Sequence, residues 1–428
     1  ELGIALAQLV DGGEEKTVYD RLQSTFSAEM NFWERMLVLN ANFTFSKSHE
    51  DYDWYKTKYR IGYGPDDVRE QGTSRAYKGS TSELYTVLDL YATLTKSFDK
   101  HLVSGVLGFN QEYSRWDKFT ADRYDIISTS LPSIGLSSGE QYVDETYKDW
   151  AIRGLFFRAN YMYDNRYIFE LNGRYDGSSR FAKGNRWGFF PSASLGWNIY
   201  REKFMEPAAD FLSNLKLRVS YGLLGNQADA GLYTFASNMS LNGGLGGYIF
   251  SDGRHIYTNP APVIDPNTTW EKVESKNIGL DFGFFGNALT GTVDIFQRDT
   301  KDMLGPGLEF PDMFGAVAPQ ANNARMRNRG WELSLNYRGK IGNDIDYSVG
   351  GSVSDAVSEV TEYANAKKND PYGSWYTGRK VGEIWGYRAE GLIQTQEEAD
   401  AYNAEYDLSY ISGKLWEPGD VKYIDLDG

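Results

Sequence analysis

Residues 270–304 read WEKVESKNIGLDFGFFGNALTGTVDIFQRDTKDML, and residues 326–355 read MRNRGWELSLNYRGKIGNDIDYSVGGSVSD. Four segments in these two runs alternate. Ile278, Leu280 and Phe282 are set against Asn277, Gly279, Asp281 and Gly283; Leu289, Val293 and Ile295 against Thr290, Thr292 and Asp294. Trp331, Leu333, Leu335 and Tyr337 then interleave with Glu332, Ser334, Asn336 and Arg338. Ile345, Tyr347, Val349 and Val353 do the same with Asp346, Ser348, Gly350 and Ser352. A period of two puts each set on one face of a β-strand. Gly286-Asn287 and Gly342-Asn343-Asp344 are ordinary hairpin turns between the paired segments. The stretch from 300 to 329 that joins the two hairpins has no such period and is expected to be a long irregular excursion.

The alternation continues upstream. Phe26, Ala28 and Met30 lead through a turn at Trp33-Glu34-Arg35 to Leu37, Leu39, Ala41, Phe43 and Phe45. A polar loop is expected from 47 to about 82. Leu88, Leu90, Ala92 and Leu94 turn at 98–101 into Val103, Gly105, Leu107 and Phe109, and a second loop is expected over 116–147. Leu155, Phe157, Ala159 and Tyr161 turn at Asp164-Asn165 into Tyr167, Phe169, Leu171 and Tyr175. A shorter loop over 177–186 precedes Phe189, Ala193, Leu195, Trp197 and Ile199. The connection 201–214 is expected to hold a short helix, followed by Leu215, Leu217, Val219 and Tyr221, then a Gly- and Asn-rich loop over 225–268. The sum is six hairpins, or twelve strands. After Ser354 the chain is expected to leave the ladder, and 359–428 reads as an extended loop region with one small hairpin.

A soluble β-sandwich alternates in the same way. Two features oppose that reading. One end of the strand array carries short turns while the other repeatedly carries loops of roughly 30 residues or more, beyond the usual length in compact domains. Aromatic residues also gather near strand ends (Phe32, Trp197, Trp331, Tyr163, Tyr167), where a membrane interface would hold them. In lipid every backbone N–H and C=O must be paired, so such strands close into a barrel. The fold class read here is all-β, an antiparallel transmembrane β-barrel with long extracellular loops.

Composition agrees. Among 428 residues aromatics make up 15%, and Gly 45 with Pro 12 suits many turns. A mean hydropathy of −0.52 and the lack of any long apolar run exclude a transmembrane helix but not a barrel, half of whose strand positions are wet. A net charge of −15 argues against nucleic acid, which calls for Lys/Arg patches. With Cys 0 there are no disulfides or thiolate metal sites. No export signal precedes the first strand, and the chain stops in mid-motif at Asp425-Leu426-Asp427-Gly428, so it reads as an internal piece of a larger protein.

Several runs carry a resemblance. YDNRYIFELNGRYDGSSRFAKGNRWGFFPSASLGWNIYREKFM (163–205), LSNLKLRVSYGLLGNQ (212–227), TWEKVESKNIGLDFGFF (269–285), FQRDTKDML (296–304) and MRNRGWELSLNYRGKIG (326–342) are similar to the SusC/RagA family of TonB-dependent outer-membrane transporters. The resemblance runs from about 17 to 428. It implies a plugged barrel of roughly 22 strands, of which residues 1–428 would be a part lacking the plug domain and about ten strands. It implies a place in the cell outer membrane and import of oligomeric nutrients, glycans or peptides. It also implies a SusD-like lipoprotein over the extracellular mouth, and TonB as the source of drive. The alternative is a surface adhesin or a soluble β-rich binding module without transport.

Nothing in the sequence supports catalysis. His49, His101 and His255 are far apart, and no nucleophile-elbow or metalloprotease motif occurs. Aromatics concentrate in Tyr372-Gly-Ser-Trp375-Tyr376 and Glu383-Ile-Trp385-Gly-Tyr387. Trp375, Tyr376, Trp385 and Tyr387 are the candidate ligand contacts, since their faces stack on sugars or peptide side chains. The competing account is packing within the loop or against a partner protein. Asp425 and Asp427 match the opening of a D-x-D calcium loop, and in the resembled family a comparable run continues into further acidic residues; two carboxylates alone would bind Ca2+ weakly. No other cofactor is expected.

Overall fold

A computed structural model describes residues 2–242, 249–250, 253–254, 257–342, 344–364, 372–406, 415–424 and 426. Its body is one twelve-stranded antiparallel sheet in which every strand lies beside its neighbour in the chain. We label these strands β1 (Gly13–Phe32), β2 (Leu37–Lys56), β3 (Arg75–Phe98), β4 (His101–Tyr124), β5 (Gln141–Tyr163), β6 (Tyr167–Ser178), β7 (Trp187–Asn198), β8 (Leu212–Asn226), β9 (Glu271–Phe284), β10 (Leu289–Gly305), β11 (Ala321–Ile341) and β12 (Ile345–Glu362). Helix α1 (Leu2–Asp11) precedes them and α2 (Gln396–Glu405) follows. Among the described residues no helix is long and apolar enough to cross a membrane. The sheet is a consecutive meander, as the six hairpins require.

The sequence pattern survives as register. Leu195 pairs with Val219, Val219 with Ile278, Ile278 with Ile295 and Ile295 with Trp331, an unbroken apolar row across five strands. The next row over, Ser194, Ser220, Asn277, Phe296 and Gly330, points to the other face. The two faces are buried in the opposite sense to a soluble protein. Leu107, Leu155 and Ile295 on the apolar face are 66%, 55% and 60% exposed, whereas Asn110 and Asp176 on the polar face are each 8% exposed. Curvature explains this: inward side chains converge on a smaller radius and cover one another, while outward ones diverge. The apolar face is convex and the polar face concave.

Large rings cover some of the sheet's glycines. A Cβ at Gly108 would lie 2.2 Å from Phe156 Cζ, and one at Gly225 2.2 Å from Phe190 Cζ. Side-chain-free positions thus let aromatic rings lie flat on the sheet.

The two ends differ as the sequence predicts. The short turns lie at 33–36, 99–100, 164–166 and 285–288, with a further short connection between Ile341 and Ile345, and Trp33, Glu34, Arg35, Asp99, Asp164, Asn165, Phe285, Gly286, Asn287 and Gly342 all take positive φ there. The connection 199–211 forms short 3-10 turns, Ile199–Arg201 and Lys203–Ala208, rather than an α-helix. Rings gather at this end. Phe98, Tyr161 and Tyr163 surround His101 with centroids within 6 Å, and Phe211 stacks on Phe284. Glu202 accepts from Tyr167 Oη at 2.7 Å and Trp197 Nε1 at 3.0 Å, so the polar tips of two interfacial rings share one carboxylate. Those two donors hold the Glu202 carboxyl below its usual range.

Several boundaries expected from the sequence are overturned. β1 begins at Gly13. β2 runs to Lys56 and β3 starts at Arg75, so the loop expected over 47–82 is only 57–74 and holds a small hairpin, Tyr59–Gly62 with Val68–Gln71. β4 and β5 likewise shrink the loop at 116–147 to 125–140, and β10 and β11 reduce the excursion at 300–329 to 306–320. The ladder does not end at Ser354: β12 continues to Glu362, and α2 lies within the region read as extended loop. In every case the strand outruns the apolar pattern, because strands that rise above a membrane need no apolar face.

Candidate functional site

The long-connection end is where buried apolar side chains cluster. Phe181, Phe190, Ala230 and Trp270 form one cluster, with Trp270 5.4 Å from both phenyl rings. The sequence at 179–186 reaches it by turning sharply after β6. Trp270 Nε1 donates to Arg186 O at 2.8 Å, Arg186 Nε to Phe181 O at 3.0 Å, and Asn185 Nδ2 to Pro266 O at 2.9 Å. These bonds tie the connection 179–186 to the described parts of 227–270. A second cluster joins Ile393, Ala399, Tyr402 and Trp416, where α2 packs beside the hairpin Ala389–Leu392 with Val421–Tyr423. Tyr402 Oη donates to Tyr423 O at 2.6 Å.

Of the four aromatics expected to meet ligand, three gather and one stands apart. The segment around Arg379 lies along the outer end of β12: Val360 N donates to Arg379 O and Val381 N to Ser358 O, each at 2.9 Å. Arg379 lies 4.8 Å from the Trp375 ring and 5.9 Å from the Tyr376 ring. Tyr376 Oη donates to Glu383 Oε1 at 2.8 Å, and the Lys380 backbone N–H reaches Oε2 at 3.3 Å. The Tyr376 hydroxyl first, then that N–H and Trp385, keep the Glu383 carboxyl below its ordinary value. Tyr387 packs instead on Tyr423, 5.2 Å away. The loop is thus substantially self-packed, and Trp375 and Trp385 keep about two-fifths of their surface exposed. Asp425 and Asp427 lie outside the described residues.

Sequence reasoning missed a second aromatic group on the concave wall. Trp54 and Tyr77 stack at 5.0 Å with planes 4° apart, and Tyr52 meets Tyr77 edge-on at 5.8 Å. Arg75 lies against the Trp54 and Tyr124 rings and donates through Nε to Asp122 Oδ2 at 2.7 Å. Tyr52 and Trp54 alternate with Asp51, Asp53 and Tyr55. That period was legible, but the surrounding charges made the stretch read as loop. Lower on the same face a cavity of about 710 Å³ is lined by Tyr91, Phe156, Phe190, Arg158, Arg174 and Asp176 among others. Flat rings beside guanidinium and carboxylate groups suit ligands that present both an apolar face and hydrogen-bonding edges. Farther along, Arg218 bridges Asp281 at 2.8 Å and Asp294 at 3.2 Å, so the concave face is charged across much of its width.

An outward apolar face, an inward charged one, tight turns at one end and long connections at the other define the wall of a membrane β-barrel. Residues 7–383 match the family described as TonB dependent receptor-like, beta-barrel, and the chain belongs to that family. It is 31% identical over 320 residues to the TonB-dependent receptor SusC of Bacteroides thetaiotaomicron, an alignment covering 74% of this chain and 30% of that receptor. It is 26% identical over 374 residues to the TonB-dependent receptor P3 of Formosa agariphila, covering 82% and 35%. The fold matches the RagAB peptide importer in its closed-closed state with a TM-score of 0.76 at 21% identity, over 91% of this chain and 42% of that one. The chain spans about a third of the length of these curated relatives. Within that family the chain is similar in sequence to SusC and in fold to RagAB.

Proposed function

We propose that this chain forms part of the barrel wall of an outer-membrane importer that takes up oligomeric nutrients, glycans or peptides. A SusD-like lipoprotein would cap the long-connection end, and TonB would drive passage through a plugged lumen. The observation that carries the proposal is the inverted burial of the two faces: the convex face needs lipid and the concave face needs a polar passage. Kinship with SusC, and a fold shared with a peptide importer, support transport rather than catalysis. The aromatic groups at Trp54–Tyr77 and Trp375–Tyr376 lie toward the long-connection end. Spread over a broad rim, they suit many weak contacts with an extended polymer or a partner protein rather than one tight pocket.

Deleting the gene for the full-length protein should abolish growth on one oligomeric nutrient while leaving growth on its monomer intact. Loss of TonB function should give the same phenotype. Uptake that persisted without TonB, or a deletion that altered only surface adhesion, would replace this reading with the adhesin one.

A further inference from the structure

The outward face of β8–β12 changes character over two adjacent rows. The row Val219, Ile278, Ile295 and Trp331 is apolar. The next outward row toward the long connections reads Tyr221, Lys276, Gln297, Arg329 and Val357. Between the two rows runs an open groove of about 790 Å³. Tyr221, Ile278, Ile295, Trp331 and Val357 along it are all more than 40% exposed, which is wasteful in water and natural in acyl chain.

Lys276 and Arg329 are the first cations above the apolar band. They stand on strands two apart, roughly 10 Å from one another by strand spacing, with the Gln297 strand between. The carboxylates of the row behind are already engaged: Glu274 takes Lys276 at 2.9 Å and also Lys301, and Asp299 takes Arg327 at 2.5 Å. Arg329 is exposed, and among the described residues no hydrogen bond or ion pair is made by its guanidinium. A cation left unpaired beside Trp331, at the depth where aromatic rings mark the interface, meets the layer of lipid phosphates. Glu359, on β12 beside Arg327, belongs to the row behind. Asp355, on β12 in the Trp331 row, would repel a phosphate, which directs it to the Lys276 side of Arg329.

We propose that this groove is a binding site for a phosphorylated glycolipid of the outer leaflet, its phosphate held by Arg329, its sugar reaching across to Lys276 and an acyl chain lying along Ile278 and Ile295. The span favours a phosphorylated sugar headgroup over a single small phosphodiester, since only a broad headgroup reaches both cations. This inference rests on the reading of the convex face as lipid-facing.

The test is native mass spectrometry of the full-length protein in detergent with added lipid A, dephosphorylated lipid A or phosphatidylglycerol. Heat-modifiable gel mobility first establishes that each variant has a folded barrel. The native protein should retain lipid A at least tenfold more than either other lipid. The double variant Lys276→Gln with Arg329→Gln should lose that tenfold preference while keeping its folded mobility. Equal retention by native and double-variant protein overturns the site, as does equal retention of dephosphorylated lipid A. Equal retention of phosphatidylglycerol overturns the glycolipid assignment. A native protein with no heat-modifiable form would instead reject the barrel reading on which the site depends.

Discussion

The wall and the cap of this molecule obey opposite rules. In the strands from β4 to β12 the exposed side chains include Leu107, Ile278, Ile295 and Val349, and the covered ones include Asn110, Ser114 and Asp176. At the long-connection end the ordinary arrangement returns: Phe181, Ala230, Trp270, Ile393, Ala399 and Tyr402 are buried. On the function proposed here, lipid is the apolar partner along the wall, and the chain's own side chains are the partners beyond it. What stabilises each region follows. The wall depends on strand-to-strand hydrogen-bond ladders and on a solvent for its convex face. The cap depends on dispersion and burial, as a soluble domain does.

Mutations should divide along that line. Phe181 is 0% exposed and is packed on Trp270, so Phe181→Ala should cost the cap about 3–5 kcal/mol, the usual range for a buried Phe. Proteolysis within 227–270 should accelerate in the full-length protein while the barrel keeps its heat-modifiable mobility. Simultaneous loss of both would mean that cap and wall are one cooperative unit. Along the wall, Leu335→Arg places a cation on the convex face and should cost about 2–4 kcal/mol if the residue lies near the bilayer midplane. Asn336→Arg, one residue on and facing inward, should fold. Equal tolerance of the two, read by heat-modifiable mobility, would erase the distinction between the faces.

The smallest effect concerns the rim. Glu383 has its carboxyl depressed by Tyr376 and by the Lys380 N–H. A depressed carboxyl adds stability that is present above its unfolded value and is lost as pH falls through the folded one. Docking of 372–387 should therefore loosen as pH falls below the ordinary Glu range. Hydrogen exchange of the Val360 and Val381 amides should rise there, and Glu383→Gln should remove the pH dependence. An identical pH response in that variant would assign the change to other groups.

How much of this was legible depended on where lipid imposes its pattern. All twelve strands and the tight turns follow from period two, because a residue such as Leu335 must be apolar and its neighbour Asn336 need not be. The upper parts of the strands, such as 47–56 and 116–124, project beyond that requirement and carry charge on both faces, so they read as loops. Trp54 and Tyr77 were lost with them. Helix α2 is weakly amphipathic, with only Ala399 and Tyr402 buried. Its one clear signal was Thr395 followed three residues later by Glu398, and the Thr395 side chain does accept from the Glu398 N–H at 3.2 Å. The rim aromatics Trp375 and Tyr376 were found from composition, but not their shared partner Arg379, because no period links a loop cation to its rings.

These 428 residues contain no cysteine, so labels placed in them can report single positions. Single cysteines at 331–337 in the full-length protein, with any cysteine outside these 428 residues replaced, spin-labelled and reconstituted in bilayers, can be compared for collision with oxygen and with a water-soluble nickel chelate. Trp331, Leu333, Leu335 and Tyr337 should favour oxygen, and Glu332, Ser334 and Asn336 should favour the chelate, in strict alternation. Uniform access to the chelate along the strand, with no period of two, would contradict a wall whose convex face meets lipid.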